Sequence, residues 1–204
     1  MRPTSTSDAV LIGRSLRQPE QFEVLFERHA TVVLRYLQLR VGYGLAEELM
    51  AETFVRAFDA RGRFDSRRTS ALPWLYGIAS NLIRMQLRTE ERRLRAYRTV
   101  VLREIQPGDL TEEGVERLYA SELGPAITAA LAALPPAQSD VLLLHTYAEL
   151  THEEIAEALG ISTGSVRKRL HRARTFMAER LGVNGNEGGK SFPNTTSRGA
   201  LTDQ

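Results

Sequence analysis

Positively charged side chains follow one another closely in one part of the sequence, where five cations fall within residues 167–174. Arginine presents a planar fork of donors that fits phosphate oxygens and the edge of guanine, and lysine holds phosphate as a point charge. The cluster therefore indicates binding to nucleic acid. The side chains expected on the outer face of the helix that carries them are Ser165, Arg167, Lys168, His171 and Arg172.

The surrounding residues have the pattern of a helix-turn-helix. Thr151 and Glu154 fit a capping box at the start of a helix, Gly160 suits a tight turn, and Ser162 or Thr163 can cap a second helix. The apolar side of that second helix is predicted from steps of four, three and four: Val166, Leu170, Ala173 and Met177. Its basic side then suits a DNA major groove. The alternative is a plain helical hairpin with a solvated charged face.

Charge is segregated along the chain, although the formal net charge is only +2. Residues 61–98 carry ten arginines against three acidic residues, and residues 161–182 carry six basic residues against one acidic residue. Between them, residues 99–125 are acidic. All but two of the 27 basic residues are arginine, which genome composition explains as well as phosphate recognition does. The segregation indicates two basic surfaces separated by an acidic segment.

The composition limits the class of protein. With 204 residues, 42% hydrophobic, the chain suffices for one large core or two small ones. It has no cysteine, which excludes disulfides, thiolate zinc sites and cysteine nucleophiles, and four scattered histidines do not indicate a metal enzyme. No cofactor, metal or enzymatic activity is expected. Because neither a signal-peptide pattern nor an apolar run of roughly 18 residues is present, we expect a cytoplasmic protein without membrane insertion.

The elements that position these residues are predicted to be helices throughout. Apolar residues recur at helical spacing and no useful strand-like alternation is found, so the expected fold is all-α. Three helices are predicted in the first half, separated by a short Gly-Tyr-Gly stop and an arginine-rich loop: residues 20–41, 46–60 and 73–95. Further helices are predicted between residues 123 and 181, with breaks at Pro135-Pro136 and near residues 148–150.

Two small helical domains joined by an acidic linker are expected. The linker is placed where the sequence is acidic, weakly periodic and interrupted by Pro107-Gly108. The full division is a flexible start, a first helical domain, the linker, a helix-turn-helix domain and a disordered tail: residues 1–19, 20–98, 99–122, 123–182 and 183–204.

Short motifs also follow one another in a fixed order along residues 22–181. The first half contains FEVLF at 22–26, AEEL at 46–49, ETFVRA at 52–57, RFD at 63–65 and WLYGIASNL at 74–82. The second half contains LPP at 134–136, VLLL at 141–144, EEIA at 153–156, LGIS at 159–162 and SVRKRLHRAR at 165–174. In order and spacing these motifs resemble the sigma-70 family of bacterial RNA polymerase initiation factors, specifically its extracytoplasmic-function (ECF) group.

The resemblance implies a role for each domain. The first would bind the β′ clamp of core RNA polymerase through acidic residues of the second helix, Glu47, Glu48 and Glu52, for which a solvated acidic face is the alternative. It would also contact the promoter −10 element with Arg61, Arg63, Phe64, Arg67, Arg68, Asn81, Arg84 and Arg88. The second domain would bind the β flap and read the −35 element with the basic helix. An anti-sigma protein and association with the nucleoid are implied as well.

Individual positions leave alternatives open or depart from the family pattern. Phe64 can be a platform for a DNA base or a plug of the core, whereas Trp74 is expected to pack. Four residues differ from those common in the family: Leu45, Ala51, Ser80 and Met85. The first two are expected to weaken the acidic polymerase-binding face, and the last two to remove polar groups from the helix that faces DNA.

Two other classes of function compete with this interpretation. A helix-turn-helix regulator that acts without core polymerase would need an apolar interface or ligand pocket in the first domain. A nuclease or recombinase would need converging carboxylates for a metal, or a nucleophile beside an arginine cluster. The resemblance favours promoter recognition together with core polymerase over both.

Overall fold

The computed structural model describes residues 6–101 and 124–182. Over these residues the fold is all-α, as expected, with a 3-10 turn at Arg61–Arg63. The helices in chain order are α1 (Asp8–Ser15), α2 (Gln21–Val41), α3 (Tyr43–Ala60), α4 (Leu72–Val101), α5 (Pro125–Ala132), α6 (Pro136–Thr146), α7 (His152–Leu159) and α8 (Thr163–Arg180). Most of the predicted linker and the predicted tail, residues 102–123 and 183–204, lie outside the described residues.

The first residues include a helix that the sequence analysis did not predict. Residues 1–19 were expected to be flexible, but α1 places Leu11 and Ile12 against the first domain, with exposures of 4% and 2%. Asp8 explains the attachment. Its carboxylate, 4% exposed, accepts hydrogen bonds from Arg28, from His29 Nε2 at 2.8 Å and from the backbone N–H of Ala71 at 2.8 Å. The expectation of flexibility is therefore wrong for residues 8–15.

Helices α2, α3 and α4 form the first domain around a core that includes Leu25, Tyr36 and Leu75, all fully buried. Helix α3 begins three residues before the predicted start, because Gly42 alone makes the break with a φ of 77°. Helix α4 extends to Val101, so the first residues of the predicted linker are helical.

Helices α5 to α8 form the second domain. Pro135 and Pro136 end one helix and begin the next, since proline is tolerated in a first helical turn, where no backbone donor is needed. Helix α6 then buries Val141 and Leu144 completely. These residues pack against α8, which gives the basic helix a rigid support.

The two domains pack against each other, and their buried apolar residues form one continuous cluster. Helix α7 lies across α4, so close that a Cβ atom at Gly77 would meet the carbonyl oxygen of Ala158 at 2.7 Å. At a second point, Arg40 of α2 pairs with Asp140 of α6, with Nε and Oδ1 2.8 Å apart. Both side chains are buried, with exposures of 8% and 4%.

Candidate nucleic-acid interface

The turn between α7 and α8 has the geometry that its sequence predicts. The Thr151 hydroxyl accepts from the Glu154 backbone N–H at 3.2 Å, while the Glu154 carboxylate accepts from the Thr151 N–H at 2.8 Å. Gly160 ends α7 with a φ of 64°, a left-handed conformation that side chains with a Cβ seldom adopt. Of the two possible caps for α8, Ser162 is the one that accepts, from the Ser165 N–H. These contacts make a helix-turn-helix.

Helix α8 presents the predicted basic face to solvent. Val166, Leu170 and Ala173 are buried beneath it. The exposed side chains on the outer face include Arg167, Lys168, His171 and Arg172. Ser165 is half-buried, and its hydroxyl lies 2.9 Å from that of Ser162 within the helix cap. Ser165 therefore also shapes the start of the helix.

The arginine-rich loop between α3 and α4 is ordered by an internal ion pair. Asp65 accepts from the Arg67 side chain through both carboxylate oxygens, at 2.9 and 2.8 Å, and from the Arg67 backbone N–H. The side-chain and backbone hydrogen bonds from Arg67 lower the pKa of Asp65 to about 2. The Arg61 guanidinium lies 3.6 Å above the ring of Phe58. Arg63 remains exposed.

A cleft of about 330 Å³ lies between this loop and α4. Phe64 and Trp74 form part of its wall, with ring centroids 5.1 Å apart and both side chains half-buried. Asn81 lines the cleft as well and is exposed; its side-chain oxygen accepts from Arg84 at 2.6 Å. Arg88 lies one turn further along α4 and is also exposed. The cleft thus combines aromatic rings, an amide and arginines.

Ser80 has a different place from the one expected. It is fully buried, and its hydroxyl lies 2.8 Å from that of Tyr36. The interpretation that Ser80 removes a polar group from a DNA-facing surface is therefore wrong, because the residue belongs to the core. Met85 is exposed, and its sulfur accepts from Arg56 at 3.6 Å.

The acidic residues of α3 differ in their surroundings. Glu47 and Glu48 are exposed, whereas Glu52 pairs with Arg56 one turn later, with Nε and Oε1 2.6 Å apart and both side chains 42% exposed. Part of the charge of Glu52 is thus compensated within the helix. Nearby, Val55 is 56% exposed and adds an apolar patch to the acidic face.

Sequence reasoning missed four charged residues that matter for the architecture: Asp8, Arg40, Asp140 and Glu157. Their partners are distant in the sequence, so no local spacing predicts these pairs. The signal available from the sequence is a charged residue within an apolar helical pattern, such as Asp140.

Over the described ranges 6–101 and 124–182, no group of three or more His, Asp or Glu side chains is placed to hold a metal ion. Over the same ranges no helix is long and apolar enough to span a membrane.

Comparison with known proteins connects these surfaces to a family. Residues 25–93 match the sigma-70 region 2 model, and residues 125–177 match the sigma-70 region 4 model. The RNA polymerase sigma factor CarQ of Myxococcus xanthus is 33% identical over 168 residues, which cover 80% of this chain and 90% of CarQ. The ECF sigma factor SigL of Mycobacterium tuberculosis is 30% identical over 175 residues, which cover 84% of this chain and 96% of SigL.

Two solved structures share the fold. One is the sigma factor RpoE in complex with the anti-sigma factor NepR from Bartonella quintana, with a TM-score of 0.64, 19% identity and coverage of 81% of this chain and 99% of that one. The other is CnrH in complex with the cytosolic domain of CnrY, with a TM-score of 0.61, 20% identity and coverage of 88% and 99%. The matches extend over both domains, so the chain belongs to the sigma-70 family, within its ECF group of RNA polymerase sigma factors.

Proposed function

We propose that the two basic surfaces of this sigma factor contact the two elements of a promoter, while the acidic face of α3 binds core RNA polymerase. The observation that carries the proposal is the exposed cationic face of α8, which a capped helix-turn-helix presents at the surface. A helix supported in this way enters the major groove with its first turns, where side chains meet base edges. The −35 element is the proposed target of Arg167, Lys168, His171 and Arg172.

The −10 element is assigned to the cleft between the arginine-rich loop and α4. A single strand needs cations along its phosphates and a surface for an unstacked base. Arg63, Arg67, Arg68, Arg84 and Arg88 supply the cations around the cleft, and Asn81 supplies an exposed amide that hydrogen bonds a base edge. The half-buried ring of Phe64 is held by Trp74 and supports a base from below. No covalent step is needed in this role.

The partners follow from the same surfaces. Glu47 and Glu48 are proposed to pair with a basic surface on the β′ clamp of core polymerase, and the second domain is proposed to bind the β flap. An anti-sigma protein is proposed as a regulator, since the sigma factor RpoE, which shares the fold, was solved in complex with the anti-sigma factor NepR. The proposed location is the cytoplasm, on the nucleoid when bound to polymerase.

The proposal is tested by size-exclusion co-elution of the purified chain with sigma-free bacterial core RNA polymerase, followed by transcription from a pool of genomic fragments. A stable complex that starts RNA at discrete sites is the expected result, and the aligned start sites give both promoter elements. If the chain binds duplex DNA but never joins the polymerase, it is a helix-turn-helix regulator and the proposed function is wrong.

Arg172→Ala is expected to weaken discrimination of the −35 element by about 1–3 kcal/mol, the range for one arginine that binds a base edge. Polymerase binding should not change. The measurement is competition binding of holoenzyme to promoters with substituted −35 bases. Arg180→Ala is the matched control, because Arg180 is an exposed arginine in the last turn of the same helix, two turns beyond Arg172. Equal discrimination by the parent and Arg172→Ala would remove Arg172 from base recognition.

A further inference from the structure

Helix α1 lies beside the arginine-rich loop that borders the cleft proposed for the −10 strand. The loop comprises residues 61–71, between α3 and α4. Leu16 follows α1 directly and packs on the first turn of the loop, where a Cβ atom at Gly62 would lie 3.8 Å from Leu16 Cδ2. The short helix therefore contacts the loop itself as well as the core of the first domain.

Arg61 fastens the first residue of the loop to the end of α1. Its Nε donates to the backbone oxygen of Ser15, the last residue of α1, at 3.4 Å, and its Nη1 donates to the backbone oxygen of Phe58 in α3. Carbonyl groups in the last turn of a helix have no partner within that helix, so they are free to accept from a side chain. Arg61 thus joins the ends of α1 and α3 at the point where the loop begins.

Asp8 of α1 fixes the last residue of the loop. The backbone N–H of Ala71, immediately before α4, donates to Asp8 Oδ2 at 2.8 Å. The next N–H, that of Leu72, donates to the Ser70 hydroxyl at 3.2 Å. The first N–H groups of a helix lack partners within the helix, and the helix dipole favours a negative charge there. The carboxylate therefore caps the start of α4 from 63 positions away in the sequence.

The Asp8 carboxylate is itself held by α2. Arg28 donates to Oδ1 at 2.6 Å, and His29 Nε2 lies 2.8 Å from Oδ2. The Asp8 side chain is only 4% exposed, and Ala71 is fully buried. A buried N–H that loses its acceptor costs free energy, so Ala71 depends on Asp8 for its position. One carboxylate therefore locates the end of the loop relative to α2.

The residues between these two anchors carry the surface proposed for the −10 strand. Phe64 and Arg68 line the cleft, and Trp74 follows the second anchor by three residues. Asp65 orders the middle of the loop through its pair with Arg67, but that pair lies within the loop and does not fix the loop to the helices. The position of Phe64 relative to α4 therefore depends on how both ends of the loop are held.

We propose that α1 is a positioning element for −10 recognition: the contact of Asp8 with Ala71 and that of Ser15 with Arg61 hold the two ends of the arginine-rich loop in the arrangement that fits an unpaired DNA strand. Asp8 is a positioning residue, because it does not line the cleft and acts through Ala71. The proposal rests on the proposed function, since it names the residues that hold the shape of the cleft assigned above. A binding surface must be held by supporting contacts to keep its geometry.

The loop is monitored without DNA through Trp74, the single tryptophan of the chain. Trp74 is half-buried, with its ring against that of Phe64 in the loop. Acrylamide quenching of tryptophan fluorescence in the free chain should be stronger in Asp8→Asn and in Arg61→Met than in the parent, because a loosened loop uncovers the indole. Each variant releases one end of the loop, and acrylamide is uncharged, so the lost charge does not itself change the quenching.

Leu37→Ala is the matched control for a general loss of stability. Leu37 is fully buried on α2, two turns beyond His29, and its replacement leaves a cavity in the core of the same domain while both anchors stay in place. Its quenching should match that of the parent. If neither anchor variant is quenched more than the parent, or if Leu37→Ala is quenched as strongly as they are, α1 does not position the loop.

Recognition is measured on holoenzyme with two labelled single-stranded oligonucleotides, one with the −10 sequence from the mapped start sites and one with the same bases in scrambled order. If the loop of Asp8→Asn holds the competent arrangement about a tenth of the time, discrimination between the two should fall about tenfold. Phosphate binding is independent of sequence, so it contributes equally to both oligonucleotides. Arg61→Met should show the same loss, and binding of a duplex with the −35 element alone should not change.

The outcomes separate this proposal from the function on which it rests. If holoenzyme with the parent initiates at discrete sites but Asp8→Asn and Arg61→Met discriminate as well as the parent, the positioning role is overturned and the sigma-factor function stands. If holoenzyme with the parent fails to initiate at any site, the proposed function is overturned, and the quenching of Trp74 still decides whether α1 holds the loop. Circular dichroism checks that Asp8→Asn keeps its helices, and Arg61→Met tests the same prediction with the Asp8 cluster intact.

Discussion

The double substitution of Glu47→Lys with Glu48→Lys is expected to abolish co-elution with core RNA polymerase. Both carboxylates are exposed near the start of α3, where a basic surface of a partner can contact them. Reversal of their charge places like charges across the interface, which costs several kcal/mol. At about 1.4 kcal/mol per tenfold change, the affinity for core polymerase should fall by at least about 100-fold.

The matched control changes the same number of charges elsewhere in the first domain. Glu20 and Glu23 are exposed at the start of α2, where Phe22 packs on Phe58 near the far end of α3. Their replacement by lysine should leave co-elution intact. If the Glu47 and Glu48 variant still co-elutes at the affinity of the parent, the acidic face of α3 is a solvated surface and polymerase binds elsewhere.

Asp8→Asn is expected to lower the free energy of unfolding by about 3 kcal/mol. The carboxylate accepts from Arg28, His29 and Ala71, and hydrogen bonds to a buried charged group contribute about 1.5–3 kcal/mol, with a further cost for donors left without an acceptor. Urea denaturation at pH 7 measures the change. Asp59→Asn makes the same chemical change at an exposed position of α3 and should stay within about 0.5 kcal/mol of the parent.

The contribution of Asp8 should also depend on pH. Burial alone would raise the pKa of Asp8, but hydrogen bonds from His29, Ala71 and Arg28 outweigh it and lower the pKa from 3.8 to about 2. A lowered pKa means that the stabilisation is complete above about pH 4 and is lost as the pH falls through about 2. The difference between the parent and Asp8→Asn should therefore shrink in acid. A difference that is constant from pH 7 to pH 2 would contradict this role of the carboxylate.

Local signals in the sequence predicted the helix-turn-helix in detail. A capping box joins residues three apart, and the turn depends on Gly160 itself, so the information lies within one short segment. The apolar steps from Val166 to Ala173 likewise predicted which side of α8 is buried. The basic side chains were therefore expected on the opposite, exposed side of α8.

Contacts between residues that are far apart in the sequence could not be predicted from these local signals. Helix α1 has only eight residues and depends on Asp8, whose partners lie 20, 21 and 63 positions away. A helix this short is not stable in water without packing, so its own residues do not suffice to predict it. The place of Ser80 depends in the same way on Tyr36, 44 positions earlier.

The domain contact was equally hidden in the sequence. Arg40 and Asp140 are 100 positions apart in the sequence. Gly77 lies in the WLYGIASNL motif at 74–82, which was interpreted only through the family resemblance. Asp140 gives the signal of a charged residue within an apolar helical pattern, but nothing local in the sequence identifies Arg40 as its partner. Only the folded arrangement shows that α7 lies beside the cleft that was assigned to the −10 strand.

Both sides of the contact between Gly77 and Ala158 belong to one chain. The packing of the two domains on each other is therefore a first-order equilibrium, which does not change with the amount of protein in the cell. For any ligand that binds only when the domains are apart, the apparent dissociation constant equals the intrinsic constant divided by the fraction of molecules in that state.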